Sequence, residues 1–162
     1  MLDVKKLEIE TSRLSEREQR DLEIFISEAH FFHEILLTDL SQLKSGSRVI
    51  EVGSGIGLLS LLIGSLGLHV DSYEPASSGF GNMAKFRALV LRCWDGPTNV
   101  SWFDSALPRE FDSSTPRADY LVAVHVLEHV PQPLQLILSS TSWTKFDGQA
   151  RFILPNYAFP YE

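Results

Sequence analysis

Only one cysteine, Cys93, occurs in 162 residues, so the chain cannot close a disulfide on itself. Its helical, apolar surroundings, Leu89, Val90 and Trp94, predict a buried thiol that fills core space; a reactive thiol is the alternative. Basic residues are scarce too: 14 Lys and Arg stand against 21 Asp and Glu, for a formal charge of −7. That balance argues against broad attraction to nucleic acid, whose phosphates are neutralised by Lys and Arg. The opening Met-Leu-Asp-Val-Lys-Lys lacks the apolar stretch of a signal peptide or a membrane span, so a cytoplasmic location with no membrane partner is expected. Internal repeats and low-complexity tracts are lacking as well. What is abundant is apolar material, 44% of residues, enough for one compact unit with a sizeable core.

From Ser12 to about Leu43, apolar residues recur at helical spacing (Leu22, Phe25, Ile26, Ala29, Phe32, Leu36, Leu37, Leu40), which predicts one or two amphipathic helices. The break Lys44-Ser45-Gly46-Ser47 ends them. Residues 1–45 are therefore read as an N-terminal helical cap and 46–162 as the main unit. In that unit Arg48–Val52 reads as a strand and Leu58–Leu66 as a helix. Leu68–Glu74 is a second strand, and Phe80–Trp94 a second helix. Val100–Phe103 and Asp119–His125 add strands three and four, and Leu134–Trp143 a helix. After a turn at Asp147-Gly148, Ala150–Leu154 makes a fifth strand. Strands alternating with helices predict an α/β, doubly wound, mainly parallel sheet, because parallel neighbours need crossover connections.

In such a sheet ligands lie at the carboxyl ends of the strands where strand order reverses, and the turn after the first strand floors that crevice. Here that turn is Glu51-Val52-Gly53-Ser54-Gly55-Ile56-Gly57. Gly53 and Gly55 let the chain turn sharply and leave bare main chain against a ligand. The spacing is G-x-G-x-G, with Leu58 where a dinucleotide fingerprint has its third glycine. Glu51, two residues before the first glycine, attracts an ammonium and repels a pyrophosphate. Glu74 ends the second strand, where a carboxylate accepts hydrogen bonds from both ribose hydroxyls, a feature nicotinamide binders share. Capping of the following helix is the alternative role for Glu51.

The segment Arg48–Asn156, with Val49-Ile50-Glu51-Val52-Gly53-Ser54-Gly55-Ile56-Gly57, Glu74-Pro75, Asp104 and Leu127-Glu128-His129-Val130 in order, resembles the class I, Rossmann-like S-adenosylmethionine-dependent methyltransferases. The resemblance implies S-adenosylmethionine as cofactor, S-adenosylhomocysteine as product and a small-molecule acceptor. By it, Glu51 meets the methionine amino end, and Gly53, Ser54, Gly55 and Gly57 line the pocket. Glu74 with Pro75 holds the ribose, Phe103 packs on the adenine and Asp104 accepts from its amino group. For Asp104, opening the turn Asp104-Ser105-Ala106 is the alternative. His125 ends the fourth strand beside the methionine part. Glu128 and His129 lie at the mouth as the catalytic candidates, His129 either as a general base near neutral pH or as a structural contact. Methyl transfer from a sulfonium needs chiefly alignment and a dry site, so a base is not obligatory.

His125-Val126-Leu127-Glu128-His129 also matches H-x-x-E-H, a zinc-protease pattern. The strand residues before it, and Pro131 and Pro133 after it, keep the two imidazoles off a common helical face, so no metal is expected. Phe31, Phe32 and His33 can cover the site or simply belong to the core, and Tyr157 follows the fifth strand within reach of a substrate. The resemblance breaks at the C-terminus. The family's sheet continues with strands six and seven, which this sequence does not supply, so an exposed fifth-strand edge and a partner there, a homodimer or another chain, are expected. The functional alternatives are a non-catalytic or partner-dependent cofactor-binding module and, third, an NAD-dependent oxidoreductase.

Overall fold

A computed structural model of the chain describes residues 1–75 and 82–156. The expected helix start at Phe80, the substrate contact at Tyr157 and the tail beyond it lie outside the described residues. Helices α1 (Val4–Thr11) and α2 (Glu16–Leu40) precede β1 (Arg48–Val52), α3 (Leu58–Ser65), β2 (His69–Tyr73) and α4 (Met83–Cys93). Then come β3 (Val100–Phe103), β4 (Ala118–Val124), α5 (Pro133–Trp143) and β5 (Thr144–Ile153). The five strands pair in the order β3-β2-β1-β4-β5, every pair parallel. Strand order therefore reverses between β1 and β4, and their carboxyl ends open the crevice of a Rossmann-like sheet.

Strand alternation sorts the core into two faces. Val49, Val70, Tyr120 and Val122 pack with α2, α3 and α4, whereas Ile50, Val52, Leu121 and Ala123 pack with Trp143 of α5. Glu51 shares the parity of Val49 and so falls on the α3 face, in apolar company. The cap region is continuous with this core, since Leu22, Ala29, Phe32, Leu36 and Leu40 join the α3 cluster. At its far end α2 is fastened to the sheet by Asp39, which accepts from the Tyr120 hydroxyl at 2.8 Å and pairs with Arg151 of β5.

Most boundaries fall within a few residues of expectation, and the largest differences are at two of them. The sequence reading starts its helices at Ser12, but α1 forms earlier. Asp3 caps it by accepting from the Lys6 N–H at 3.1 Å, and an isolated bridge from Leu2 to Trp94 ties its start to α4. No α1 residue is buried, so it carries little apolar period to read. The second helix begins at a capping box in which the Ser15 side chain and Glu18 satisfy each other's backbone N–H groups. The fifth strand begins at Thr144 rather than after Asp147-Gly148, because Thr144 already pairs with Ala118. Lys145–Gly148 then bulge out before pairing resumes at Gln149, and Gly148 passes so close to β4 that a Cβ there would lie 2.9 Å from the Asp119 carbonyl. Among the described residues, no helix is long and apolar enough to cross a membrane.

Candidate functional site

A cleft of about 420 Å³ opens at the reversal point, a size within the range of small-molecule and cofactor sites. Its walls come from α2 (Phe25, Glu28, Ala29, Phe32), from the turn after β1 (Gly53, Ser54, Gly55) with Glu51, from Glu74-Pro75, and from the segment after β4 (His125, Val126, His129, Val130). Eight of the residues assigned to cofactor or catalysis in the sequence thus meet in one cavity, Glu51, Gly53, Ser54, Gly55, Glu74, Pro75, His125 and His129, and Phe32 lines it as well. Gly57, Phe103, Asp104 and Glu128 do not line it.

The turn after β1 is stitched to the end of β2. The N–H groups of Gly53 and Ser54 donate to the Tyr73 carbonyl at 2.7 and 3.2 Å, and the Gly55 N–H donates to Glu74 Oε2 at 2.8 Å. Glu74 therefore holds the turn while one face of its carboxylate meets the cleft. Gly53 has φ +74°, and a Cβ on it would come within 2.3 Å of Val126 Cγ2. Gly57 has a different reason: it caps α3 at φ +77°, and a Cβ there would strike the Trp102 ring at 2.6 Å.

Glu51 is 3% exposed and its Oε2 accepts from the Ser60 hydroxyl on α3. It does not cap that helix through backbone N–H groups; Gly57 occupies the cap position. Burial pushes its carboxyl up to about 7, against the Ser60 hydrogen bond, with the nearby Glu74 charge adding to the rise and Arg87 opposing it. The Ser54 hydroxyl is buried, with no hydrogen-bond partner among the described residues, so a ligand in the cleft would have a polar group to satisfy.

After β4 the chain passes through a left-handed residue that is not glycine. His125 has φ +52°, its N–H donates to the Ile153 carbonyl at 2.9 Å, and its ring meets Phe32 edge-on with centroids 5.0 Å apart. Residues 127–129 form a turn rather than a helix, closed by the His129 N–H on the Val126 carbonyl at 2.9 Å. The H-x-x-E-H histidines are thus held apart from helical spacing, and among the described residues no group of three or more His, Cys, Asp or Glu is placed to hold a metal. His129 is exposed and lines the cleft, and Glu128 Oε2 is buried with no hydrogen-bond partner among the described residues.

Phe103 stacks on Tyr73, with centroids 4.6 Å apart and planes 10° from parallel. Asp104, exposed, pairs with Arg87 at 3.1 Å. Arg87 escaped the sequence reading. Its guanidinium donates to the Gly55 carbonyl at 3.2 and 3.0 Å and lies over Trp102, so one side chain braces the turn, the ring under Gly57 and Asp104 together. Glu28 was also missed, although a charged residue inside the apolar stripe of α2 is a visible anomaly.

Comparison with known proteins points one way. A family model described as a methyltransferase domain matches residues 18–162. An uncharacterized protein of Mycobacterium tuberculosis is 29% identical over 136 residues, covering 84% of this chain and 45% of its own length. A ubiquinone biosynthesis O-methyltransferase of Alkalilimnicola ehrlichii is 26% identical over 107 residues, covering 66% and 41%. The chain spans less than half the length of these two relatives. Among solved structures, a glycopeptide N-methyltransferase complexed with sinefungin superposes with a TM-score of 0.54 at 18% identity, over 78% of this chain and 52% of that one. Coclaurine N-methyltransferase bound to N-methylheliamine and S-adenosylhomocysteine gives 0.56 at 15% identity, over 76% and 35%.

Proposed function

The chain belongs to the methyltransferase-domain family, and from that premise we propose that it is an S-adenosylmethionine-dependent methyltransferase acting on a small-molecule acceptor. One observation carries the proposal: two carboxylates, Glu51 and Glu74, line a single cleft together with the turn Gly53–Gly55. The donor set fits this cofactor. Glu51, buried with its carboxyl raised to about 7, lacks a cation in the cleft, and an amino acid ammonium supplies one. The unpartnered Ser54 hydroxyl answers the polar end of the same group. Glu74 and Pro75 take the ribose side, against the turn that Gly57 and Arg87 support. Phe103 and Asp104 follow β3 outside the lining, so their part, toward the adenine, rests on the family resemblance alone.

Bound S-adenosylmethionine supplies a methyl group already activated on a sulfonium. The chain's own task is to align an acceptor with that carbon and to keep water out. Phe25, Phe32 and Val130 exclude water, and His125 narrows the space where β4 ends. His129, with Glu128 next to it in sequence, lines the cleft, where an acceptor's proton can be taken up. Residues 1–45 serve as the cap and 46–162 as the binding unit.

Calorimetric titration tests the reading: S-adenosylhomocysteine should bind and NAD should not. Binding of NAD in preference would return the site to nicotinamide chemistry. A labelled-methyl assay across small acceptors then reads turnover, and no product from any of them would leave a cofactor-binding module. β5 stands at a sheet edge; pairing of two copies along it would appear as a dimer in light scattering at micromolar concentration.

A further inference from the structure

Building on that reading of the cleft, we infer that the acceptor is an amine and that Glu28 of α2 selects it. Phe25, Glu28, Ala29 and Phe32 are spaced i, i+3, i+4 and i+7, so they form one stripe of the helix, and all four line the cleft. Glu28 is the charged member of that stripe. The other acidic residues of α2 that face neighbouring elements are engaged: Glu18 pairs with Lys85, and Asp39 with Tyr120 and Arg151. Glu28, between them, makes no hydrogen bond or ion pair with any described residue.

The charge balance of the cavity sharpens the point. Among the described residues its lining holds three carboxylates, Glu28, Glu51 and Glu74, and no Lys or Arg. The nucleoside accounts for Glu51 and Glu74, which leaves Glu28 for the acceptor. A carboxylate or phosphate acceptor would lose its water beside like charge, with only the His125 and His129 imidazoles in the described lining to offset it. An ammonium gains an ion pair instead, and the aromatic rings of Phe25 and Phe32 on the same stripe give it apolar company that tolerates a cation. Independently of the acidic side chains, the Ser54 hydroxyl, 6% exposed and unpartnered in the same cavity, shows that the cavity is built for a polar ligand; the nucleoside's amino acid end takes that hydroxyl, and Glu28 is the carboxylate left over.

The chemistry balances. The ammonium held by Glu28 gives one proton to His129 or to water, which frees the nitrogen lone pair. That pair forms the new N–C bond to the methyl carbon as the C–S bond breaks, and the bonding electrons stay on sulfur as a neutral thioether. The methylated ammonium that results is the product, or loses a further proton to solvent.

Three probes of similar size test the assignment in calorimetric titrations of the chain saturated with S-adenosylhomocysteine: 2-phenylethylamine, 2-phenylethanol and 3-phenylpropanoate. The amine should bind at least about tenfold more tightly than either of the others, and Glu28→Gln should remove most of that margin while the alcohol changes less than about twofold. Equal binding of the three, a preference that survives Glu28→Gln, or no amine binding would each overturn the inference. So would a parallel loss of S-adenosylhomocysteine affinity in Glu28→Gln, which would place Glu28 against the cofactor. Failure of the unaltered chain to bind S-adenosylhomocysteine would remove the proposed function as well, and is read separately in the first titration.

Discussion

The two turns that flank the cleft both carry the chain through positive φ, by different means. After β1 the left-handed positions are glycines, Gly53, Gly55 and Gly57, for which that conformation costs nothing. After β4 the position is His125 at φ +52°, where a residue with a side chain gives up about 1–2 kcal/mol. The turns also interlock, since Val126 fills the space that a side chain on Gly53 would need. The first turn is thus a relaxed cradle, and the second stores strain at a residue that lines the cleft. Backbone freedom at one turn makes room for the placement of the His125 ring against Phe32 at the other.

The largest effect that would break this contrast is at Gly53. Gly53→Ala combines an unfavourable φ with the 2.3 Å clash on Val126, and should lower unfolding free energy by about 3–4 kcal/mol in urea titrations. Adding Val126→Ala should return part of that loss, and strict additivity of the two changes would show that the turns are independent. Next comes Glu51. Its folded value of about 7 lies above the ordinary 4.5, so the folded chain holds the extra proton between those values. Stability is full below pH 4.5 and falls as pH rises through 7. Glu51→Gln should flatten that profile, with a gain on the order of 2–3 kcal/mol at pH 8 in the ligand-free protein. Conversely, an ammonium ligand needs Glu51 ionised, so S-adenosylhomocysteine affinity should weaken toward a limit of about tenfold per pH unit below 7. A flat profile in calorimetry would take Glu51 off the amine.

A smaller effect is expected at Glu74, which both braces Gly55 and faces the cleft. Glu74→Ala should cost about 1–3 kcal/mol of S-adenosylhomocysteine binding, and unchanged affinity would remove it from the site. The smallest is His125→Gly. Relief of φ strain and loss of the Phe32 contact oppose each other, so stability should move by less than about 1 kcal/mol. Methyl transfer should fall all the same; a variant that keeps full activity would reduce His125 to a turn residue.

Much of this architecture was legible because parallel strands buried on both faces write themselves as apolar β-branched runs. Arg48–Val52 is such a strand, and Val100–Phe103, a half-exposed edge strand set off by the Asp95-Gly96-Pro97 turn, was also read with the bounds observed. The glycine turn was legible for a similar reason, as its conformation excludes most other residues. Less was visible where structure depends on tertiary contact. Helix α1 buries none of its side chains, and it is held by Asp3 and by the bridge to Trp94 rather than by its own period. The early start of β5 needs a bulge that only its pairing with Ala118 reveals. Arg87, on an ordinary amphipathic helix, gave no sign that it would reach the Gly55 carbonyl across 32 positions. Glu28 did give a sign, a charge on an apolar stripe, and the Ser15-x-x-Glu18 box gave another.

The link from Asp39 to both Tyr120 and Arg151 makes one carboxylate a shared fastener between roof and floor. The two partners, Tyr120 before Arg151, hold Asp39 below the usual carboxylate range, so the joint stays closed at neutral pH and is undone only as strong acid delivers a proton to it. When it opens, the carboxyl-terminal end of the long helix loses its polar ties to two strands at once and keeps only the apolar packing of Leu36 and Leu40.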